Sequence, residues 1–241
     1  VCSRYKNNKL KFIKVSEKML PNCYLSQYIT ISTYYRILIP KLIPVKKILY
    51  LDVDIIVRKD LLKLYNAKLD NYIIAASEHP WDKYNKKLLY SYLNIPMNKK
   101  YFNAGVLLIN AQKWRKNNIT EKVLKYIKEK KYLEHWDQDA LNAILYNNWK
   151  RLKLYYNQQT VYYTDSKKYL PQKELEKALN DPTIVHYTGK YKPDSYVCDH
   201  KYKKEYFKYY EMVYNKPCIY KDKNLKNVLI KIKNTIRKMI R

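Results

Sequence analysis

Two aspartates two residues apart, Asp52 and Asp54, sit inside the run Ile48-Leu49-Tyr50-Leu51-Asp52-Val53-Asp54-Ile55-Ile56-Val57. The rest of that run has the apolar character of a buried strand, where an ionised carboxylate is costly unless it is paired or bound to a cation. Residues i and i+2 of a strand face the same side, so the two carboxylates could converge on one ion. Hard divalent cations such as Mg²⁺ and Mn²⁺ prefer oxygen ligands and commonly arrive with a phosphate-bearing substrate. The pattern points to a metal and a nucleotide diphosphate. The same short pattern also caps strands and opens turns, so alone it leaves both readings standing.

Glycine narrows the choice. The chain has two, Gly105 and Gly189, where average usage predicts about 17. Each is expected to hold a backbone position that no side chain allows. Gly105 lies in Tyr101-Phe102-Asn103-Ala104-Gly105-Val106-Leu107-Leu108-Ile109-Asn110, and Gly189 in His186-Tyr187-Thr188-Gly189-Lys190-Tyr191-Lys192-Pro193. His186 follows the short apolar stretch Thr183-Ile184-Val185 and could complete an Asp2His site, although a lone His is often structural. The Gly and Lys after it would let a backbone and an ammonium approach a diphosphate.

These residues need a scaffold, and 47% hydrophobic residues suffice for a core. Strand-like runs at Leu10–Val15, Lys47–Val57, Tyr72–Ser77 and Tyr101–Asn110 alternate with helical patterns at Ser26–Ile39, Ala111–Glu129 and Asp137–Tyr146. That alternation predicts an α/β fold with a mostly parallel sheet and flanking helices, the site lying at the carboxyl ends of the strands. Tyr155–Tyr163 and the strand before His186 would complete the far side of the sheet.

Taken together, Tyr50-Leu51-Asp52-Val53-Asp54, Phe102-Asn103-Ala104-Gly105-Val106-Leu107-Leu108-Ile109-Asn110, Asp137-Gln138-Asp139-Ala140-Leu141-Asn142 and His186-Tyr187-Thr188-Gly189 with Lys192-Pro193 resemble glycosyltransferase family 8. These are retaining sugar-nucleotide transferases that include bacterial lipopolysaccharide galactosyl- and glucosyltransferases and the glycogenins. With Thr33-Tyr34-Tyr35-Arg36, the resemblance spans roughly residues 10–193. It implies a GT-A-type nucleotide-sugar-binding domain, N-terminally incomplete, over residues 1–220; residues 221–241 read by their own spacing as a basic amphipathic tail.

The resemblance also implies roles. Asp52, Asp54 and His186 would hold Mn²⁺, or Mg²⁺, against the diphosphate of a UDP-hexose. Gly189 and Lys192 would contact the diphosphate, and Arg36 would lie beside the nucleotide or donor sugar. Asn103, Ala104, Asp137 and Gln138 would line the donor sugar, with Asp137 and Gln138 nearest the reacting carbon. A metal and a Lys stabilise the charge that builds on UDP as it leaves. Retention requires either a nucleophile beneath the ring, for which Gln138 is feeble and Asp137 stronger, or a front-face route; the latter is the expectation here.

Two departures from the family pattern stand out. Pro193 is followed by Asp194 where the family usually has Trp, which bears on the acceptor side. The family also opens with a strand and an Asp-containing turn that grip the uracil, whereas Leu10–Val15 already reads as a later strand. About 40 to 60 residues of the nucleotide-binding half are expected to be absent, by the strand order of such folds. The competing reading is accordingly a catalytically incomplete fragment or a non-catalytic sugar-nucleotide-binding relative.

The net charge of +28 invites a nucleic-acid reading. Lys, Asn, Ile and Tyr are abundant while Gly, Ala and Arg are scarce, as an AT-rich coding sequence produces. No helix-turn-helix, zinc-finger or RNP signature is visible, and the 29 Tyr are spread along the chain, so no nucleic-acid partner is expected. The tail instead sets Leu225, Val228, Leu229, Ile232, Ile236, Met239 and Ile240 at helical spacing among Lys and Arg. That pattern suits an anionic membrane surface as well as packing on the protein's own core. Preference for the membrane, with a lipid-linked or glycan acceptor, makes the expected location peripheral on the inner face of a bacterial cytoplasmic membrane. Cys2, Cys23, Cys198 and Cys218 show no metal-site spacing and are expected to be free thiols in a reducing, cytoplasmic compartment. No run of apolar residues is long enough to span a bilayer.

Overall fold

A computed structural model describes residues 9–21, 23, 30–81, 83–130 and 132–239. At its centre lies β4 (Phe102–Asn110), a strand buried along all but its last residue. Its mostly apolar run suits a strand covered on both faces. β1 (Lys47–Leu51) and β3 (Ile74–Glu78) flank β4, and β5 (Trp149–Leu152) adds to β3, giving the order β1-β4-β3-β5. A second sheet has the order β2-β7-β6, from Ile55–Val57, Ile184–His186 and Gln158–Gln159.

β4 pairs antiparallel with β1 and with β3, and β2 pairs antiparallel with β7; the β3–β5 and β6–β7 ladders are parallel. Both described sheets are therefore mixed, which corrects the expectation that parallel pairing dominates. The cause is local: β4 lies between β1 and β3 and runs opposite to both. The α/β layering holds, because α1 (Tyr35–Leu42), α4 (Ala111–Lys116), α5 (Ile119–Glu129) and α6 (Trp136–Leu145) supply core residues alongside β4.

Several elements differ from the sequence pattern. Tyr155–Tyr163 does not extend the first sheet: it is two 3-10 turns around the two-residue β6, which pairs in the second sheet. Lys47–Val57 is two strands, broken over Asp52-Val53-Asp54. The helix expected over Ala111–Glu129 is two, because Asn118 turns left-handed at φ 51°, a conformation Asn tolerates better than most residues. Leu10–Val15 carries no strand: Leu10 and Phe12 are exposed, and no strand among the described residues pairs with this segment. The helix expected from Ser26 is described only from Ile31, as a 3-10 turn over Ile31–Tyr34 leading into α1; its beginning lies outside the described residues.

The remaining helices are α2 (Leu62–Tyr65), α3 (Lys83–Leu93), α7 (Gln172–Asn180), α8 (Lys203–Tyr214) and α9 (Leu225–Met239). α9 is the helix read from the tail. Leu225, Leu229, Ile232 and Ile236 are each at least half exposed, so this stripe faces away from the protein. The opposite side is tied down: Asn227 donates to the Asp222 carbonyl at 2.6 Å, and the Lys231 ammonium lies 4.5 Å from the Tyr196 ring centre. No helix among the described residues is long and apolar enough to cross a membrane. Cys23, Cys198 and Cys218 are free, and Cys2 lies outside the described residues.

Candidate metal and donor site

Strand register places the three proposed metal ligands. Leu51 is paired with Val106, and the Asp52 N–H donates to the Gly105 carbonyl at 2.8 Å, so Asp52 continues β1 directly beside Gly105. The chain then bends, Val53 is fully exposed, and Ile55 enters the second sheet opposite His186. The Tyr187 N–H donates to the Asp54 carbonyl at 3.0 Å. Asp52 and Asp54 thus converge across a bend between two sheets and not by the alternation of one strand.

The result is a cluster of Asp52, Asp54 and His186 whose ligand atoms all lie within 4.8 Å of one another. His186 Nε2 is 3.2 Å from Asp54 Oδ1 and 3.7 Å from Asp52 Oδ2. Glycine at 105 is a requirement of space. A Cβ built there would lie 2.1 Å from His186 Cε1 and 2.8 Å from Asp52 Oδ2. Gly189 answers to backbone geometry instead, with φ 89° and open space around it. Its loop is exposed, and it joins the cluster only along the chain.

The neighbours are charged and closely held. Tyr50 donates its hydroxyl to Asp52 Oδ1 at 2.6 Å, and Arg36 Nη2 lies 3.1 Å from the same oxygen. Arg36, on the first turn of α1, also donates to the Ala104 carbonyl at 2.7 Å and sets its Nε 2.8 Å from Asp137 Oδ2. Lys192 donates to Asp54 Oδ2 at 2.6 Å and to the Tyr187 carbonyl at 2.8 Å. Burial alone would raise the pKa of Asp54; its contacts with His186 and Lys192 outweigh that and hold it well below the usual carboxylate range.

Asp137 behaves in the opposite way. Burial pushes its carboxyl up to about 7, against the pull of Arg36. Its side chain is 3% exposed, and Oδ2 receives no hydrogen bond, because the Arg36 N–H at Nε is directed to the Thr33 carbonyl at 3.2 Å. Asp137 and Asp139 occupy the acidic first turn of α6, favourable at a helix N-terminus, and Asp139 accepts the His135 N–H at 2.8 Å. Gln138 is held at both ends: Oε1 accepts Asn103 Nδ2 at 3.0 Å and the Ala104 N–H at 2.9 Å, while Nε2 donates to the Tyr101 hydroxyl at 3.3 Å.

Asp194, the departure from the family pattern, has a partner of its own. Lys221 lies 2.5 Å from its carboxylate and links the segment after Lys192 to the start of the tail. Asp222 strengthens the link by accepting from the Ser195 hydroxyl and the Tyr196 N–H, each at 2.6 Å.

Residues 3–198 match the family described as Glycosyl transferase family 8. The chain belongs to that family. It is 37% identical over 209 residues to general stress protein A of Bacillus subtilis strain 168, covering 83% of this chain and 72% of the relative. It is 32% identical over 173 residues to a lipopolysaccharide 1,2-glucosyltransferase of Escherichia coli, covering 68% of this chain and 49% of that protein. Against glycosyltransferase GlyB of Streptococcus pneumoniae serotype 4 (strain ATCC BAA-334 / TIGR4) the figures are 27% over 203 residues, 82% and 46%. The chain therefore spans about half the length of the last two. Among solved structures, the galactosyltransferase LgtC, in complex with donor and acceptor sugar analogues, superposes with a TM-score of 0.71 at 25% identity, covering 82% of this chain and 73% of that one. The GT-A-type α/β fold expected from the resemblance is thus the fold of this family 8 chain.

Two neighbours of the site were not singled out by the sequence. Tyr50 lies within the motif, and nothing in an apolar strand announces that its hydroxyl turns toward Asp52. Asn157 Oδ1 lies within hydrogen-bond distance of His186 Nδ1, at 2.9 Å. Its only signal was the polar triplet Asn157-Gln158-Gln159 inside an aromatic run, each residue 0% exposed.

Proposed function

We propose that this chain transfers a hexose, galactose or glucose, from a UDP-sugar to a hydroxyl of a surface glycan or lipid-linked saccharide such as lipopolysaccharide, with retention at the anomeric carbon. The observation that carries the reading is the convergence of Asp52, Asp54 and His186 around the side-chain-free face of Gly105. Two carboxylates and an imidazole are a donor set for a divalent cation, and the imidazole favours Mn²⁺ over Mg²⁺. When bound, that ion offsets the charge of a diphosphate leaving group. Asp52, Asp54 and His186 would hold it, and Lys192, already 2.6 Å from Asp54, is positioned to share its charge with the diphosphate.

The front-face route is supported by how the two residues near the donor are used. Asp137 is buried against Arg36, and the Gln138 amide is committed to Asn103, Ala104 and Tyr101. Neither presents a free, ionised nucleophile. Arg36, Asn103 and Ala104 would then orient the sugar, a positioning role that needs no covalent intermediate. The glucosyl- and galactosyltransferase names of relatives support the hexose and the glycan acceptor.

The test is the product. With α-configured UDP-galactose or UDP-glucose, Mn²⁺ and a saccharide acceptor, NMR is expected to show an α-linked product, and chelation is expected to stop its formation. A β-linked product would overturn the reading.

The tail extends the proposal to an anionic membrane surface. The exposed stripe of Leu225, Leu229, Ile232 and Ile236 lies on a helix that also carries Lys226, Lys231 and Lys233, the pattern of an interfacial helix. Removing residues 224–241 is expected to abolish sedimentation with anionic vesicles while leaving the fold intact, and binding by the intact chain is expected to weaken as salt rises. Unfolding of the shortened chain would assign the helix to the core instead.

A further inference from the structure

We propose that Asn157 is the positioning residue that sets the tautomer of His186, and that its own orientation is dictated by the main chain of β4. The inference rests on the metal site proposed above but concerns a residue outside the ligand set. Asn157 is fully buried and closes an unbroken line of side-chain amides running from His186 to Gln138.

The polarity of that line follows from groups that cannot invert. The Gly105 N–H donates to Asn103 Oδ1 at 3.0 Å, which fixes the oxygen end of that amide. Asn103 Nδ2 must then face Gln138 Oε1, and the Ala104 N–H, donating to the same oxygen at 2.9 Å, fixes that amide too. Asn157 meets Asn103 Oδ1 at 2.8 Å and can do so only with its nitrogen. Its oxygen is left for His186 Nδ1 at 2.9 Å, so Nδ1 carries the proton.

With Nδ1 committed to Asn157, Nε2 is the nitrogen left facing Asp54 Oδ1, 3.2 Å away, and Asp52 Oδ2, 3.7 Å away; in the metal-free site it can share a proton with Asp54, and in the neutral ring it offers its lone pair. A cation that displaces any proton on Nε2 would then meet three electron-pair donors, with the Nδ1 proton left in place on Asn157. Two backbone N–H groups of β4 thus determine, through two asparagines, which nitrogen of a histidine in the other sheet is offered to the ion.

Nitrogen-15 NMR of the imidazole in the unsubstituted protein at neutral pH reads the tautomer directly. A proton on Nδ1 is expected; a proton only on Nε2 would overturn the assignment. Mn²⁺ affinity by electron paramagnetic resonance provides the second reading. Asn157→Leu, which removes the acceptor at similar volume, is expected to weaken binding about 10- to 100-fold, the usual effect of losing such a partner. Asn157→Asp, which keeps the acceptor and gives up the bond to Asn103, is expected to retain most of it. Equal losses in the two variants, or none in Asn157→Leu, would also overturn the proposal. If Asn157→Leu does not fold, the NMR result decides alone. Absence of Mn²⁺ binding by the unsubstituted protein would defeat the metal reading while leaving the tautomer decided.

Discussion

Gly105→Ala is expected to abolish divalent-cation binding while leaving the secondary structure in place. The added methyl would sit 2.1 Å from His186 Cε1, far inside contact distance, and 2.8 Å from both His186 Nδ1 and Asp52 Oδ2. Gly105 itself cannot retreat, because its carbonyl accepts the Asp52 N–H and its own N–H is bound to Asn103. The imidazole must swing away, taking Nε2 from the carboxylates and Nδ1 from Asn157. Overpacking of this kind costs about 1–3 kcal/mol of stability, so a lowered melting temperature with unchanged far-ultraviolet circular dichroism should accompany the loss. Mn²⁺ binding measured by electron paramagnetic resonance decides it: an affinity equal to that of the unsubstituted protein would mean that the cluster is not the metal site.

Asp54→Asn is expected to weaken Mn²⁺-dependent UDP binding by about 100-fold or more, on the order of 3 kcal/mol. The substitution keeps the shape of the side chain and removes the charge that faces both His186 Nε2 and Lys192. A neutral amide is a poorer ligand for a hard dication, and its NH₂ end would put hydrogens where the ion belongs. Calorimetry with UDP, in the presence of Mn²⁺ and then of chelator, separates the metal from the diphosphate. Unchanged affinity under both conditions would remove Asp54 from the ligand set.

The ligands were legible because their chemistry conflicts with their surroundings. Two carboxylates in an apolar run, a histidine at the end of a short strand, and glycines in a chain that nearly lacks them are each locally improbable. What surrounds them was not legible, for identifiable physical reasons. An apolar run of eleven residues, Lys47–Val57, reads the same whether it is one strand or two, and only tertiary pairing shows that Asp52 and Asp54 end up beside different sheets. Asn117-Asn118 breaks a helix whose periodicity runs through it, because a left-handed residue leaves the hydrophobic spacing nearly intact. Strand direction is not written in composition, so the balance of parallel and antiparallel pairing was misjudged. Asn157 lies 29 positions from His186 and 54 from Asn103, a proximity that no local pattern encodes.

The bend at Asp52-Val53-Asp54 is also the joint at which the chain passes from one sheet to the other. Asp52 extends the first sheet, while Asp54 and His186 belong to the second. An ion held there would be a removable rivet between the two sheets. Mass action gives it a stabilising effect of about 2.7 kcal/mol when its free concentration is about a hundred times its dissociation constant. The same atoms that would prepare the donor for reaction would therefore add a tie between two sheets that already share a buried core of Val106, Leu108 and Ile184, so that loading the site would also raise the stability of the fold.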